Sequence, residues 1–208
     1  MIHIESYILL KEYQTNTYLL WDDLSKDAVL VDPSVPSEDM AQTVKSKQVK
    51  LKLVINTHGH GDHIAGNNYF ASLFSCPVAI HPLDANMLID NRKNLSTYMG
   101  YDLKLKSADI MLNAGDKYCL GNHTLKVIHT PGHTAGSICL LIDKYLISGD
   151  TLFEQSIGRT DFPGGSHTDI IKSIKEKLFI LPDDILVFPG HGPTTSIGLE
   201  KINNPFVN

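Results

Sequence analysis

Four strand-like runs of this chain each end in a histidine or an aspartate with a glycine beside it. The runs are "LKLVINTHGHGDH", "TLKVIHTPGH", "YLISGD" and "ILVFPGH". Functional side chains commonly lie on loops at strand ends, where a rigid scaffold holds them in place. We therefore expect the fold to bring four strand ends to one site, and this requirement limits the architectures open to the chain.

The residue types at these strand ends are those that bind metal ions. Neutral imidazole is a strong ligand for borderline cations, and a carboxylate adds negative charge. Seven candidates exceed the four ligands of a tetrahedral site, so the set predicts two metal ions that share one carboxylate. The candidates are His58, His60, Asp62, His63, His133, Asp150 and His191.

The stretch from His58 to His63 is the most specific part of the pattern. In an extended loop His58 and His60 point to the same side, whereas Asp62 and His63 fall at the start of the next helix. One segment could thus serve two adjacent ions. The alternative is that Asp62 and His63 only begin the helix, and a single "PGH" or "GD" is commonly just a turn. The other histidines lack this context and are predicted to be structural: His3, His81, His123, His129 and His167.

Composition places the chain among ordinary globular proteins. Its 208 residues predict one domain, residues 1–208, and 42% are hydrophobic and 20% charged. No apolar run reaches the roughly 18 residues that span a bilayer, and no signal peptide is recognisable. The net charge of -5 and the lack of a basic cluster argue against nucleic acid as a partner. We expect a cytoplasmic monomer or small homo-oligomer that acts on a small molecule, without nucleic acid or membrane as partner.

The cysteines support this location. Cys76, Cys119 and Cys139 are widely spaced and stand in apolar contexts. An odd number of cysteines in such contexts is typical of buried thiols and not of a disulfide framework.

Short apolar runs alternate with turn signals along the chain. The pattern predicts strands over 7–10, 17–21, 28–33, 51–58, 77–82, 123–134, 137–143, 144–150 and 184–195. It predicts helices over 37–48, 63–75, 83–90 and 168–181, the last with a stripe of Ile171, Ile174, Leu178 and Leu181. Strand-rich stretches with interspersed helices in both halves favour two packed sheets with helices outside.

The motifs "THGHGDH", "TPGHTAGS", "SGDTLF" and "PGHGP", in this order, resemble those of the metallo-β-lactamase superfamily. The resemblance implies an αββα sandwich: two mixed β-sheets with helices on the outer faces and the metals at one edge. The segments "GDTLFEQSIGRTDFPGG" (149–165) and "PGHGPTTSIGLEKINNPF" (189–206) are similar to short-form glyoxalase II-like hydrolases. The family name that this suggests is hydroxyacylglutathione hydrolase.

The resemblance also implies a role for each ligand. His58, His60 and His133 would hold the first metal, and Asp62, His63 and His191 the second. Asp150 would bridge the two, together with a water or hydroxide. Two divalent ions are implied; we expect zinc, and iron or manganese accepts the same ligands.

The implied reaction is hydrolysis of S-acylglutathione thioesters such as S-lactoylglutathione. A metal-bridging hydroxide would attack the carbonyl, and Asp62 and Asp150 are the catalytic candidates. Arg159 and Phe162 are candidate substrate contacts because they follow Asp150 closely in the chain. Alternatively, Arg159 and Asp161 only pin a loop to the core.

Rival functions remain open at this stage. Persulfide dioxygenases share the fold and a similar "GRTDF" segment, and would hold one iron with His58, His133 and Asp150. A β-lactam hydrolase would be expected to carry an export signal. A scaffold protein that uses metal only for stability is disfavoured, because structural sites are closed with four ligands.

Overall fold

The structure is a computed structural model, and it describes residues 1–207. The first sheet has six strands in sequence order: β1 (Ile2–Leu10), β2 (Thr15–Asp22), β3 (Asp27–Val31), β4 (Lys50–Ile55), β5 (Val78–Ile80) and β6 (Ile110–Met111). β1, β2 and β3 form the antiparallel meander that the sequence predicts, and β3 to β6 run parallel.

The second sheet is also six-stranded and mixed. Its strands are β7 (Lys117–Leu120), β8 (His123–His129), β9 (Ile138–Ile142), β10 (Tyr145–Gly149), β13 (Leu186–Pro189) and β14 (Thr195–Ser196). Their spatial order is β14-β13-β10-β9-β8-β7, and only the β10–β13 pair is parallel. A separate hairpin, β11 (Leu152–Phe153) with β12 (Ser156–Ile157), follows β10 directly.

Three apolar layers hold the sheets and helices together. Between the sheets, side chains such as Tyr18 and Leu20 of β2 meet Leu140 of β9. The outer face of the first sheet, with Leu19 and Trp21, packs on α1 (Glu38–Ser46) and α3 (Asn67–Phe74). The outer face of the second sheet packs on α4 (His167–Ser173) and α5 (Ile197–Asn203). β2 is buried along its whole length because both of its faces are covered. The predicted αββα sandwich is confirmed.

The helix predicted over 63–75 is wrong in one respect, because the structure has two helices there. α2 (Gly61–Ile64) is capped by Ala65, and α3 begins at Asn67. The backbone N–H of Gly66 donates to the carbonyl of Pro33, outside the helix, at 2.7 Å. The chain therefore turns between the metal-ligand loop and α3.

Two other helix predictions are also wrong in part. Over 83–90 only one 3₁₀ turn forms, Ala85–Met87. Over 168–181 α4 passes into a π-helical turn, Ile174–Leu178, which changes the helical register. The fully buried row is consequently Ile170, Ile174 and Leu178, whereas Ile171 and Leu181 are only partly buried.

The cysteine prediction holds for two of the three residues. Cys76 and Cys139 are buried free thiols, but Cys119 is exposed, because it lies on the outward face of the edge strand β7. Over residues 1–207 no helix is both long and apolar enough to cross a bilayer.

Candidate metal centre

The four strand ends singled out in the sequence meet at one edge of the sandwich. β4 leads into the loop of His58 to His63, and β8 leads into the loop of His133. β10 ends directly before Asp150, and β13 ends two residues before His191. Both sheets thus contribute ligands to the same place.

The candidate ligands form two clusters, within each of which the ligand atoms lie no more than 4.8 Å apart. The first cluster is His58, His60 and His133, three buried imidazoles whose ring centroids are 4.7–4.8 Å apart. The second is Asp62, His63 and His191. These are the two sets that the resemblance implied.

Asp150 lies between the two clusters. Its Oδ2 is 3.5 Å from Nε2 of His133 in the first cluster and 3.4 Å from Nε2 of His191 in the second. Its Oδ1 is 3.5 Å from Nε2 of His63 and has no hydrogen-bond partner among the described residues. A carboxylate so placed is suited to bridging two ions. The structure thus brings all seven predicted residues together.

The outer nitrogens of the imidazoles fix which way their lone pairs point. Nδ1 of His133 donates to the carbonyl of Arg159 (2.7 Å), and Nδ1 of His191 donates to the carbonyl of Tyr13 (3.0 Å). A carbonyl can only accept, so these tautomers carry the proton on Nδ1. Nε2 of each ring faces the centre and can bind a metal ion when that nitrogen carries no proton.

The two histidines nearest the core, His58 and His63, also carry a proton on Nδ1. Nδ1 of His63 faces Oδ2 of Asp32 at 3.0 Å, and Nδ1 of His58 faces the hydroxyl of Thr57 at 3.2 Å. That hydroxyl donates to Asp32, so it accepts from His58. Nε2 of His58 is buried and has no hydrogen-bond partner among the described residues. A buried imidazole nitrogen without a hydrogen-bond partner, close to the rings of other histidines, fits a metal cation.

Burial keeps His58 and His60 of the first cluster neutral. Burial and the neighbouring His133 lower the pKa of His60 to about 3. Burial and the nearby His63 lower the pKa of His58 well below its usual range. Both rings are therefore uncharged at neutral pH, which is the form that binds metal.

Carboxylates surround the two histidines of the second cluster. Burial by itself would lower the pKa of His63, but the surrounding carboxylates, Asp62 foremost, raise it to about 9. Burial would also lower the pKa of His191, but its hydrogen bonds to Asp150 and Asp62 raise it to about 11. These shifts indicate a site that favours added positive charge, which a divalent ion would provide.

The model of the metallo-beta-lactamase superfamily matches residues 10–191, a range that contains both clusters and most of the two sheets. The chain belongs to this superfamily. Its members are mostly metal-dependent hydrolases.

Among curated proteins of the superfamily, the chain is 34% identical to hydroxyacylglutathione hydrolase GloC of Haemophilus influenzae over 204 residues, which cover 94% of each chain. The crystal structure of the BLEG-1 B3 metallo-beta-lactamase is 38% identical, with a TM-score of 0.93 over 99% of this chain and 100% of that one. ETHE1 from Myxococcus xanthus is 31% identical, with a TM-score of 0.83 over 98% of this chain and 83% of that one. TTHA1623, solved in a di-iron-bound form, is 30% identical, with a TM-score of 0.85 over 97% and 99%.

Asp32 is a site residue that the sequence analysis missed. It is buried at the end of β3, where its Oδ1 accepts the backbone N–H of Thr57 (2.7 Å) and its Oδ2 faces His63. It therefore orients His63, a candidate metal ligand, from behind. A signal for it exists, because "AVLVD" is a further strand-like run that ends in a carboxylate.

Asp84 is a second missed residue, and it joins the two loops of the first cluster. Its Oδ2 accepts the backbone N–H of Gly59 (3.0 Å) and the hydroxyl of Thr134 (2.6 Å). Its Oδ1 accepts the backbone N–H of Gly136 (2.8 Å). The side chain is buried, so one carboxylate fixes the loop of His58 and His60 against the loop of His133.

A cleft of about 710 Å³ opens over the centre of this superfamily member. Its floor includes His60, Asp62, His133, Asp150 and His191, and its sides are largely apolar. Both candidate substrate contacts, Arg159 and Phe162, line it.

The guanidinium of Arg159 is already engaged. It donates two hydrogen bonds to Asp161, at 2.7 and 2.6 Å, and lies over the ring of Phe162 at 3.8 Å. The pair stands at the surface, and its contact with the first cluster runs through the backbone carbonyl of Arg159, which holds His133. The proposed substrate contact of Arg159 stays a prediction.

Proposed function

We propose that this protein is a dinuclear metal-dependent thioester hydrolase of the glyoxalase II type, acting on S-acylglutathione thioesters such as S-lactoylglutathione. The observation that carries the proposal is Asp150, which lies within 3.5 Å of both ligand clusters at the floor of an open cleft. A carboxylate in this position is suited to bridging two ions, and the open cleft above it supports a catalytic site over a closed structural one. The likeness to the protein named hydroxyacylglutathione hydrolase GloC supports the choice of substrate.

The ligand assignment follows the two clusters. His58, His60 and His133 would hold one ion. Asp62, His63 and His191 would hold the other, and Asp150 would bridge them. Bound divalent ions lower the pKa of water to near neutrality and polarise a carbonyl oxygen. We expect zinc, although iron or manganese suits the same donors.

The residues of the chain account for the remaining steps. Oδ2 of Asp62 lies at the cleft floor, 3.2 Å from the hydroxyl of Thr15 and 3.4 Å from Nε2 of His191. It is positioned to accept the proton that a water loses as it attacks the thioester carbon. The apolar side chains of Ile157 and Phe162 restrict the access of other water. The thiolate can leave without a general acid, because a thiolate is a weak base whose conjugate thiol has a pKa of about 8.5.

The test combines metal content with turnover. Elemental mass spectrometry of the purified protein should give two divalent ions per chain, and the same sample should hydrolyse S-lactoylglutathione. His191→Ala should lose one ion and most of the activity. His123 lies on β8 outside both clusters, so His123→Ala should keep two ions and full activity. Two bound metals without thioester turnover would overturn the substrate assignment, and turnover of a chromogenic β-lactam in its place would favour the activity in the name of BLEG-1.

A second candidate function is a mononuclear iron persulfide dioxygenase. The likeness to ETHE1 from Myxococcus xanthus supports it. His58, His133 and Asp150 would hold the iron, two histidines and a carboxylate with open positions. One iron per chain and consumption of oxygen in the presence of glutathione persulfide would establish this function in place of hydrolysis.

A further inference from the structure

The cleft has a wall that neither ligand cluster accounts for. Four residues of the segment 91–99, here named the recognition wall, line the cleft together with the candidate ligands: Arg92, Leu95, Tyr98 and Met99.

The recognition wall is fixed directly to the metal-ligand loop. The backbone carbonyl of Asn94 accepts the N–H of Gly61, which stands between His60 and Asp62, at 2.7 Å. The side chain of Asn94 is fully buried, donates to the carbonyl of Met87 (2.8 Å) and accepts the N–H of Ser96 (2.9 Å). The wall therefore has a defined position relative to the reacting centre.

One residue of the wall is held in a strained conformation. Leu95 has a φ of +67°, a region that leucine rarely occupies. Such a conformation persists where the surroundings impose it, and it is concentrated at ligand-binding sites. The buried neighbours Asn94 and Ser96 impose it here, and Leu95 contributes apolar surface to the cleft.

Arg92 is the cation of this wall. Its side chain lines the cleft, and no carboxylate of residues 1–207 lies within ion-pair distance of its guanidinium. Asp90 is close, but its Oδ1 is engaged by the backbone N–H groups of Arg92 and Lys93. Arg159, the other arginine of the cleft, is paired with Asp161. A forked guanidinium matches the oxygens of a carboxylate or a phosphate.

An exposed aromatic ring lines the same cleft as this cation. Tyr98 is 80% exposed, and Met99 follows it in the chain. A cleft lined by an exposed ring and an unpaired cation suits a ligand that has an apolar part and a charged end.

We propose that Arg92 determines specificity for thioesters that carry an anionic group, a carboxylate or a phosphate. Leu95, Tyr98 and Met99 bind the adjacent apolar part of the substrate. This inference rests on the proposed thioester hydrolysis and adds the substrate class to it.

The experiment compares matched charged and neutral thioesters on the metal-loaded protein. One pair is S-lactoyl-N-acetylglutathione and its diethyl ester, which differ only in the two carboxylates, and the other is the lactoyl thioesters of coenzyme A and of pantetheine. Arg92→Ala should raise KM about tenfold for the charged member of one pair, leave kcat nearly unchanged, and have no effect on the neutral member. Arg92→Lys should recover part of the loss. A response to Arg92→Ala in the glutathione pair would indicate a carboxylate as the anion, and a response in the coenzyme A pair would indicate a phosphate.

Lys93→Ala is the matched control, because it removes the same charge from the neighbouring residue, which does not line the cleft. Equal effects of Arg92→Ala on charged and neutral substrates, or an equal loss in Lys93→Ala, would overturn the inference. If the wild type hydrolyses none of these thioesters, the proposed function fails. The role of Arg92 is then tested by measuring the binding of substrate analogues. Calorimetry with the S-hexyl thioethers of glutathione and coenzyme A, and with their neutral counterparts, should then show a charge preference that Arg92→Ala abolishes; its absence would refute the inference.

Discussion

At the scale of single residues, the centre depends on carboxylates that are not themselves assigned to an ion. Asp84 accepts hydrogen bonds from two loops that are distant in sequence, one with His58 and His60 and the other with His133. Such outer groups commonly change metal affinity by roughly 10- to 100-fold when they are replaced. The ligands are thus only as well placed as the residues behind them.

Asp84→Asn should therefore weaken metal binding by roughly 10- to 100-fold while the protein still folds. The amide keeps the shape of the carboxylate, but an NH₂ group replaces one of its two oxygens. The backbone N–H of either Gly59 or Gly136 then loses its acceptor. Competition with a chromophoric chelator measures the affinity. Asp116→Asn, an exposed carboxylate that also accepts a backbone N–H, should leave the affinity unchanged. Wild-type affinity in Asp84→Asn would show that the loops hold without this carboxylate.

The charge of His63 predicts how the metal-free protein responds to pH. Its folded pKa of about 9 lies above the unfolded value of 6.5. Its contribution to stability is therefore complete below pH 6.5 and is lost as the pH rises through about 9. The melting temperature of chelator-treated protein should fall between pH 7 and pH 10. The fall should be smaller in His63→Gln, and an equal fall in both would assign the effect to other groups.

At the scale of elements, the sequence predicts the strands and their ends, because each strand has either alternating apolar and polar residues or a continuous apolar run. β4, β8, β10 and β13 all carry their ligands where the sequence placed them. The local pattern does not reveal contacts made by distant backbone. The break between α2 and α3 depends on the carbonyl of Pro33, and the place of Asp84 depends on two loops whose glycines lie 25 and 52 residues away.

One contact between elements fixes the His133 loop against α4. Gly132 has a φ of +142°, and a Cβ there would overlap the backbone of Ile170 in the first turns of α4. Gly132→Ala should therefore displace His133, reduce bound metal and lower the melting temperature. Gly115→Ala is the matched control, because its φ of +86° is also positive but a Cβ would meet nothing within 4 Å. It should cost about 1 kcal/mol and leave the metal content intact. Equal metal content in both variants would contradict the packing argument.

At the scale of the whole molecule, the centre joins the two sheets. The first cluster takes His58 and His60 from the first sheet and His133 from the second. The second cluster takes Asp62 and His63 from the first sheet and His191 from the second. Bound ions would therefore stabilise the packing of the sheets as well as supply reactivity.

Removal of metal should accordingly destabilise the entire fold. Ligand at about 100 times its dissociation constant adds about 2.7 kcal/mol of stability. For a chain of this size that corresponds to roughly 5 to 10 °C in melting temperature. Thermal denaturation with zinc and with chelator measures the difference. A melting temperature that does not respond to metal would mean that the sandwich is held by its apolar layers alone.

The position of His191 has a consequence for how the protein is made. Its imidazole is held by the carbonyl of Tyr13 in the first hairpin, and the backbone N–H of Asn16 donates to the carbonyl of Gly190 (2.8 Å). A ribosome produces Tyr13 178 residues before His191. The first hairpin must therefore wait for its partner, and an ion held by the second cluster would bind only after His191 has left the ribosome.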